Sequence, residues 1–393
     1  DALRGFALLG ILMMNIQSFG LIDSKYTNPM AQGALTGIEY FEWLIGHLFF
    51  DSKMMAIFSA LFGAGIVLMW EKALQANRKF TWLHYRRMFW LMLFGLAHGH
   101  LLWHGDILVP YALCGMIVYW FCGLRSHWLL WLGFLLLLIG SVTVIFVGMS
   151  IPYWPEEQVA EMSADWTPSA KQIAANKAIY LGSWIGQLPH RSAVAFMMET
   201  FLFLMIWIWR VGGLMLIGMG LFKMGVFQAQ RSPKFYWIGF VSGLLIGTAL
   251  TGYGVYQFEL NEWSFEYSFF QGHQWNYWGS LFTCFGFVCG MMLMSRASWS
   301  LRPLAAVGKM ALTNYLMHTI ICTTLFYGHG FGQFGALNRT QLILVVITIW
   351  IFQLIVSPIW LRYFRFGPAE WLWRSLTYWK FQPFLQTNRQ NLD

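Results

Sequence analysis

Residues 128–149 form one unbroken run without a charged side chain. A helix of about 20 apolar residues reaches across the hydrocarbon layer of a bilayer, where every backbone amide must find its partner within the segment. The run therefore predicts a membrane-spanning helix, and similar runs recur along the chain. Hydrophobic residues make up 58% of the 393 residues and charged residues 11%, against about a quarter charged in soluble proteins. A soluble core of this size would lack the polar surface to cover it. We expect an all-α integral membrane protein with about ten transmembrane helices. They fall near residues 5–22, 54–70, 86–104, 107–124, 127–149, 193–223, 235–257, 275–295, 308–327 and 341–361. Segment 38–50 is apolar but short, which predicts an interfacial or re-entrant helix. The chain turns apolar directly after Asp1, with no basic lead-in and no small-residue cleavage site. The first run is thus expected to be a retained helix, with the natural start lying before Asp1.

The formal charge of +8 raises the question of nucleic acid, but the basic residues are distributed as a membrane distributes them. Basic residues in short loops favour the cytoplasmic side. The loop after the second run carries Lys72, Arg78, Lys79, Arg86 and Arg87. Lys223, Arg231 and Lys234 follow the sixth, and Arg296, Arg302 and Lys309 follow the eighth. The tail holds Arg362, Arg365, Arg374, Lys380 and Arg389. Alternate loops carry acids instead: Glu156, Glu157, Glu161 and Asp165 in one, Glu259, Glu262 and Glu266 in another. With ten spans every basic loop falls on one side, both termini are cytoplasmic, and no nucleic-acid partner is expected. Three regions follow: an N-terminal bundle over 1–150, an extracytoplasmic loop over 151–192, and a C-terminal transmembrane domain over 193–393 with an aromatic, basic tail. Within the loop, 169–181 reads as a short amphipathic helix on the outer face. Cys114, Cys122, Cys284, Cys289 and Cys322 all sit in apolar runs without a CxxC pair and read as small buried hydrophobes.

Ionisable groups inside membrane helices are costly, which makes them functional candidates by default. The third run ends in His98, His100, His104 and Asp106. His100 and His104 share a helix face, while His98 points nearly opposite to His100. His47, Asp51 and Lys53 flank the start of the second run on the same side. An imidazole titrating near neutrality suits general-base work, and a neighbouring carboxylate would fix its tautomer. Satisfied structural histidines, acid–base catalysis and metal binding all remain open for this cluster. No third or fourth ligand joins His100 and His104, so no metal is expected. At the inner face, Arg4, Arg86 and Arg87 serve as topology determinants or as forks for phosphate. Asn15 lies mid-helix, about 16 Å beyond Arg4. Asn314 and His318 form an i, i+4 polar pair that either lines a passage or bonds neighbouring helices. Glu370 and Arg374 have the spacing of a surface ion pair, with part of a donor site as the alternative. Walker A, HExxH, GxSxG and strand-borne GxGxxG patterns are missing, which disfavours ATP-driven and dinucleotide chemistry.

Stretches 1–15 (DALRGFALLGILMMN), 53–65 (KMMAIFSALFGAG), 86–112 (ending GDILVPYA) and 307–316 (VGKMALTNYL) resemble the YeiB-like family of bacterial membrane proteins. The tail 364–378 (FRFGPAEWLWRSLTY) resembles that family's C-terminal domain of unknown function 418. The N-terminal pattern is similar to heparan-alpha-glucosaminide N-acetyltransferase and, more distantly, to acyltransferase-3 membrane acyltransferases. This resemblance implies a bacterial inner-membrane enzyme that carries an acyl group from cytoplasmic acyl-CoA to an acceptor across the membrane. Acyltransferase-3 proteins pair an Arg with a His eleven residues later; here Arg4 is followed at that spacing by Asn15. An amide is no general base at neutral pH, so that role does not carry over.

The expectation is an acyltransferase with acyl-CoA as co-substrate and no permanently bound cofactor. Arg4, Arg86 and Arg87 would hold the CoA phosphates, and Asn15 would lie along the thioester's path. His98 would be the base, oriented by Asp106, and the acceptor a glycan or lipid-linked hydroxyl or amine. The alternatives are a transporter or flippase lined by Asn314 and His318, and a non-catalytic protein whose tail meets anionic membrane lipids. The oligomeric state is left open, a homodimer included.

Overall fold

Apolar side chains supply the drive to helix here, and local polar chemistry sets where each helix begins. The computed structural model describes residues 1–297 and 300–386; among them only isolated bridges break an all-helical pattern. Arg389, counted above with the basic tail, lies outside the described residues.

From the N-terminus, α1 (Ala2–Gly20) leads by a long loop to α2 (Gly37–Phe49). The chain then turns at Ser52, whose φ is 63°, into α3 (Lys53–Gln75). Next come α4 (Thr81–Leu101), α5 (Leu108–Val118) and α6 (Ser126–Ser150). The following connection holds α7 (Glu156–Trp166) and α8 (Ala170–Tyr180). Then α9 (Leu188–Met197) runs through a π-helical stretch, Met198–Trp207, into α10 (Ile208–Lys223). A long pair follows, α11 (Pro233–Leu260) and α12 (His273–Arg296). The chain ends in α13 (Arg302–Lys309), α14 (Ala311–Phe326), α15 (Arg339–Tyr363) and α16 (Pro368–Tyr378). Two starts show the capping logic. Ser169 and Gln172 form a reciprocal box at α8, and Asn338 and Gln341 do the same at α15, each pair satisfying donors that helix geometry leaves free.

Among the described residues seven helical segments are long and apolar enough to cross a membrane, and the chain is a multi-pass membrane protein. They contain seven of the ten expected runs. The other three runs are helical too, but each departs from a plain span for a visible reason. Helix α4 carries His84, Arg86, Arg87, His98 and His100, which lower its hydropathy. Helix α5 is short even with its 3₁₀ extension to Phe121. The run over 308–327 breaks at Met310 between α13 and α14, leaving 16 residues in α14, about 24 Å against a hydrocarbon layer of about 30 Å. The 38–50 segment is α2, and the 169–181 segment is α8, a helix as expected but without the expected apolar face, because Asn176 and Lys177 share its inward side with Ile173 and Tyr180. Only 22% of the apolar stretch of α6 and 28% of that of α15 is buried, so their Leu, Ile and Phe side chains face outward as lipid-facing helices require.

Helix α1 stands at the centre, packed on α3, α13, α14 and α15. Its N-terminal turn meets α13 at van der Waals range because residue 5 is glycine: a Cβ there would lie 2.0 Å from the Leu304 carbonyl oxygen. Small residues also join α11 to α12, where a Cβ on Gly243 would approach the Phe282 carbonyl oxygen to 2.6 Å. In lipid, where tails are as apolar as leucine, such close backbone approach is what drives helices together. All five cysteines are free and buried, as their apolar surroundings suggested.

Candidate functional site

Helix α4 climbs eleven residues from Arg87 to His98, about 16 Å, and the chain then doubles back through residues 102–107 into α5. The return is tight because position 95 is glycine. A Cβ on Gly95 would lie 2.8 Å from Asp106 Oδ2 and 2.7 Å from the Val109 nitrogen. This turn delivers Asp106 to His98: His98 Nδ1 lies 2.8 Å from Asp106 Oδ1. The other carboxylate oxygen accepts from the Val109 N–H at 2.9 Å and so caps α5. His98 Nε2 lies 2.8 Å from Thr319 Oγ1 on α14. The two members of the pair are 2% and 6% exposed, so solvent does not weaken their contact. An ionised carboxylate only accepts. Nδ1 therefore donates to Asp106, and Nε2 is left to accept from a hydroxyl. That is the arrangement of a poised general base.

Beside this pair lies a cavity of about 160 Å³, which His98 and Asp106 adjoin through their neighbours and do not line. One end is polar, lined by Arg4, Arg87, Lys309, Glu370 and Trp373; Phe58, Phe62, Leu91 and Tyr111 make it apolar further in. Ile107, Leu108 and Tyr315 also line it. The first two follow Asp106 in the chain, and the Tyr315 ring lies 5.1 Å from the His98 ring. The cavity thus joins a cationic end to the neighbourhood of the base. Arg87 is held flat over Trp373 at 4.5 Å, and the Trp373 indole donates to the Arg87 carbonyl at 2.9 Å. Arg4 reaches Asp1 at 3.2 Å.

The expected surface ion pair of Glu370 and Arg374 does not form. Glu370 instead turns inward and accepts from the Leu312 N–H at 2.6 Å, the Thr313 N–H at 3.1 Å and the Thr313 hydroxyl at 2.5 Å. It satisfies the free donors at the start of α14, and burial pushes its carboxyl above the usual range. Arg374 lies over Phe366 at 4.5 Å.

The remaining candidates separate from this centre. Arg86 stands over Trp379 at 5.8 Å and does not line the cavity; nor does half-buried Asn15. His47, Asp51 and Lys53 form a network of their own. His47 Nδ1 lies 3.0 Å from Asp51 Oδ2, and Lys53 donates to the His47 carbonyl at 2.7 Å and to the Asn276 side-chain oxygen. Asn276 in turn donates to Asp51 at 2.8 Å. His100 pairs with Glu199 at 3.1 Å. His104 lies in the loop after α4, with its ring 6.4 Å from that of Tyr180. Asn314 donates to the Val307 carbonyl at 3.2 Å and to Ser357 at 3.1 Å, while His318 bonds Gln353 at 2.8 Å. These last two tie α14 to α15. Among the described residues no group of three or more His, Cys, Asp or Glu side chains is placed to hold a metal.

Sequence reasoning missed Thr319, Tyr315 and Glu199, and read Lys309 only as a topology determinant. Glu199 carried the clearest signal, an acid inside an apolar run, and it sits in the π-helical stretch of the kind that often marks functional positions.

A family model described as "Protein of unknown function (DUF418)" matches residues 221–380. The chain is 33% identical over 392 residues to "Uncharacterized protein YeiB" of Escherichia coli (strain K12), covering 96% of this chain and 95% of that one. It is 30% identical to "Uncharacterized protein YxaH" of Bacillus subtilis (strain 168), covering 99% and 96%. No solved structure matches the chain. The chain belongs to the YeiB-like family of DUF418 proteins.

Proposed function

We propose that the protein is a membrane-embedded acyltransferase, moving an acyl group from cytoplasmic acyl-CoA to a hydroxyl or amine acceptor on the other side, a glycan or lipid-linked molecule. One observation carries the reading: a buried His98–Asp106 pair stands beside a cavity whose far end is lined by Arg4, Arg87 and Lys309. Arginine forks suit the CoA phosphates, and the apolar middle suits an acyl-pantetheine arm. Behind the Ile107, Leu108 and Tyr315 side of the cavity, His98 Nε2 takes the proton of the acceptor hydroxyl as its oxygen attacks the thioester carbonyl. The tetrahedral intermediate collapses, the C–S bond breaks, and the leaving thiolate recovers the proton from His98. Thr319 Oγ1, at 2.8 Å from Nε2, supports a hydroxyl as the partner of this nitrogen, and the acceptor would take its place. The basic loops favour ten crossings and cytoplasmic termini, and the bacterial relatives favour the inner membrane. Against a transporter lined by Asn314 and His318 stands their bonding to neighbouring helices, Asn314 to Val307 and Ser357 and His318 Nε2 to Gln353, which among the described residues leaves only His318 Nδ1 unpaired.

The test is binding of acetyl-CoA and longer acyl-CoAs to the purified protein in detergent, read as a thermal shift. Stabilisation that is lost in Arg87→Ala supports the reading. A folded protein stabilised by no CoA species overturns it.

A further inference from the structure

Beyond the dyad, the 151–192 connection folds over the end of the bundle and brings a second group of polar side chains together. Tyr180 stacks on Phe334 at 4.3 Å and packs on Tyr327 at 5.2 Å. Its hydroxyl donates to Asp23 at 2.9 Å, and Asn176 donates to the other oxygen of Asp23 at 2.8 Å. His190 lies 3.5 Å from the Tyr180 hydroxyl, and His104 faces the same ring. The group borders the base. Trp103 stands 6.3 Å from His98, and Arg191 Nε donates to the carbonyl of His100 at 2.8 Å.

Arg191 is anomalous. It is 3% exposed, yet, unlike Arg339, whose Nη1 reaches Gln17, it has no hydrogen-bond partner for either terminal guanidinium nitrogen among the described residues. The Tyr327 hydroxyl, 1% exposed, has none either. Leaving buried donors empty is costly, most of all on a charged group. A fork of two free N–H edges matches a carboxylate or phosphate in a two-pronged contact, and a neutral hydroxyl would not balance the charge. Asp23 is already bonded within the cluster and does not fill the fork.

We infer that Arg191, with Tyr327, forms an oxyanion-binding site beside His98 and holds the carboxylate or phosphate of an anionic acceptor. Its role as the acceptor site rests on the acyltransferase reading; binding of the oxyanion does not. Soluble and lipid sources share this chemistry and are told apart by the arms of one experiment. Thermal stabilisation is measured with glucose 6-phosphate, glucuronate and neutral glucose in detergent, and in nanodiscs of phosphatidylglycerol against phosphatidylcholine. The expected result is stabilisation by an anionic probe but not by glucose. The affinity should fall roughly 10–100-fold in Arg191→Gln and less in Tyr327→Phe, which keeps the ring and guards against a folding defect in the first variant. If phosphatidylglycerol alone stabilises, the acceptor is a lipid headgroup; if the sugar anions do, it is soluble. Stabilisation by no anionic probe overturns the inference, as does stabilisation that survives both variants or vanishes only in Arg87→Ala. Acetyl-CoA is added to the same samples, so loss of CoA binding with anion binding intact would sink the acyltransferase reading and leave this site standing.

Discussion

Asp106 touches His98 with one carboxylate oxygen, at 2.8 Å, and the first turn of α5 with the other, at 2.9 Å from the Val109 nitrogen. One side chain thus orients the base and fixes the loop that carries it. Asp106→Asn separates the two roles. Asparagine is as good a helix cap as aspartate, so thermal stability should change little. Its amide cannot stabilise an imidazolium, and acyl transfer should fall about 10²–10⁴-fold. Initial rates at saturating acyl-CoA check this. Full activity in a folded Asn variant would remove Asp106 from the mechanism.

The cationic end of the cavity makes a sharper distinction than charge counting allows. Arg86 and Arg87 are adjacent, but only Arg87 lines the cavity, where Trp373 holds it. Arg87→Ala should weaken acyl-CoA binding about tenfold or more, the worth of one charge-assisted contact, while Arg86→Ala leaves it nearly unchanged. Arg87→Lys keeps the charge, loses the fork, and should fall between them. Titration by isothermal calorimetry in detergent orders the three variants. Equal loss at both arginines would place the phosphates elsewhere.

What the sequence made legible follows from the range of each interaction. Helical runs are set by residues a few positions apart, so all ten runs emerge as helices even where hydropathy alone would pass over α4. The dyad was legible because His98 and Asp106 lie eight residues apart at the end of one helix. Glu370 was misread because the spacing to Arg374 suggested a local pair, whereas its partners Leu312 and Thr313 come from a distant helix start. Thr319 and Arg191 pair across long separations for the same reason, and no short spacing encodes those contacts. The α7 segment, bracketed by Pro155 and Pro168 and rich in glutamate, gave little apolar signal.

The loop histidine His104 provides a pH test. Burial is the main cause that lowers it from an ordinary value near 6.5 to about 4; Asp23 opposes the shift, and His190 and Arg191 add to it. With the folded value depressed, the unfolded chain binds more protons between these limits. Stability therefore rises with pH through the window and is lost as pH falls from about 6.5 to about 4. Two and a half units set a ceiling of about 3 kcal/mol. His104→Asn should flatten this part of the profile. Thermal melts across the window decide it, and an unchanged acid slope in the variant would assign the loss to other groups.

The Lys53 network is a different case, because its groups lie inside a membrane-spanning segment. Lys53 is fully buried and shares Asn276 with half-buried Asp51, so the ammonium group has no solvent to fall back on. Lys53→Met leaves the His47 carbonyl and the Asn276 oxygen without their donor and should cost about 1–3 kcal/mol. Asp51→Asn should be comparably damaging, since it strands the ammonium group. The double variant removes both charges at once. If the network is a structural staple, it should be more stable than the sum of the single changes predicts, with a coupling of about 0.5–3 kcal/mol. Chemical denaturation in mixed micelles would measure all three. A Lys53→Met protein as stable as the parent, but unable to transfer an acyl group, would mean that the network takes part in function and not only in holding α2, α3 and α12 together.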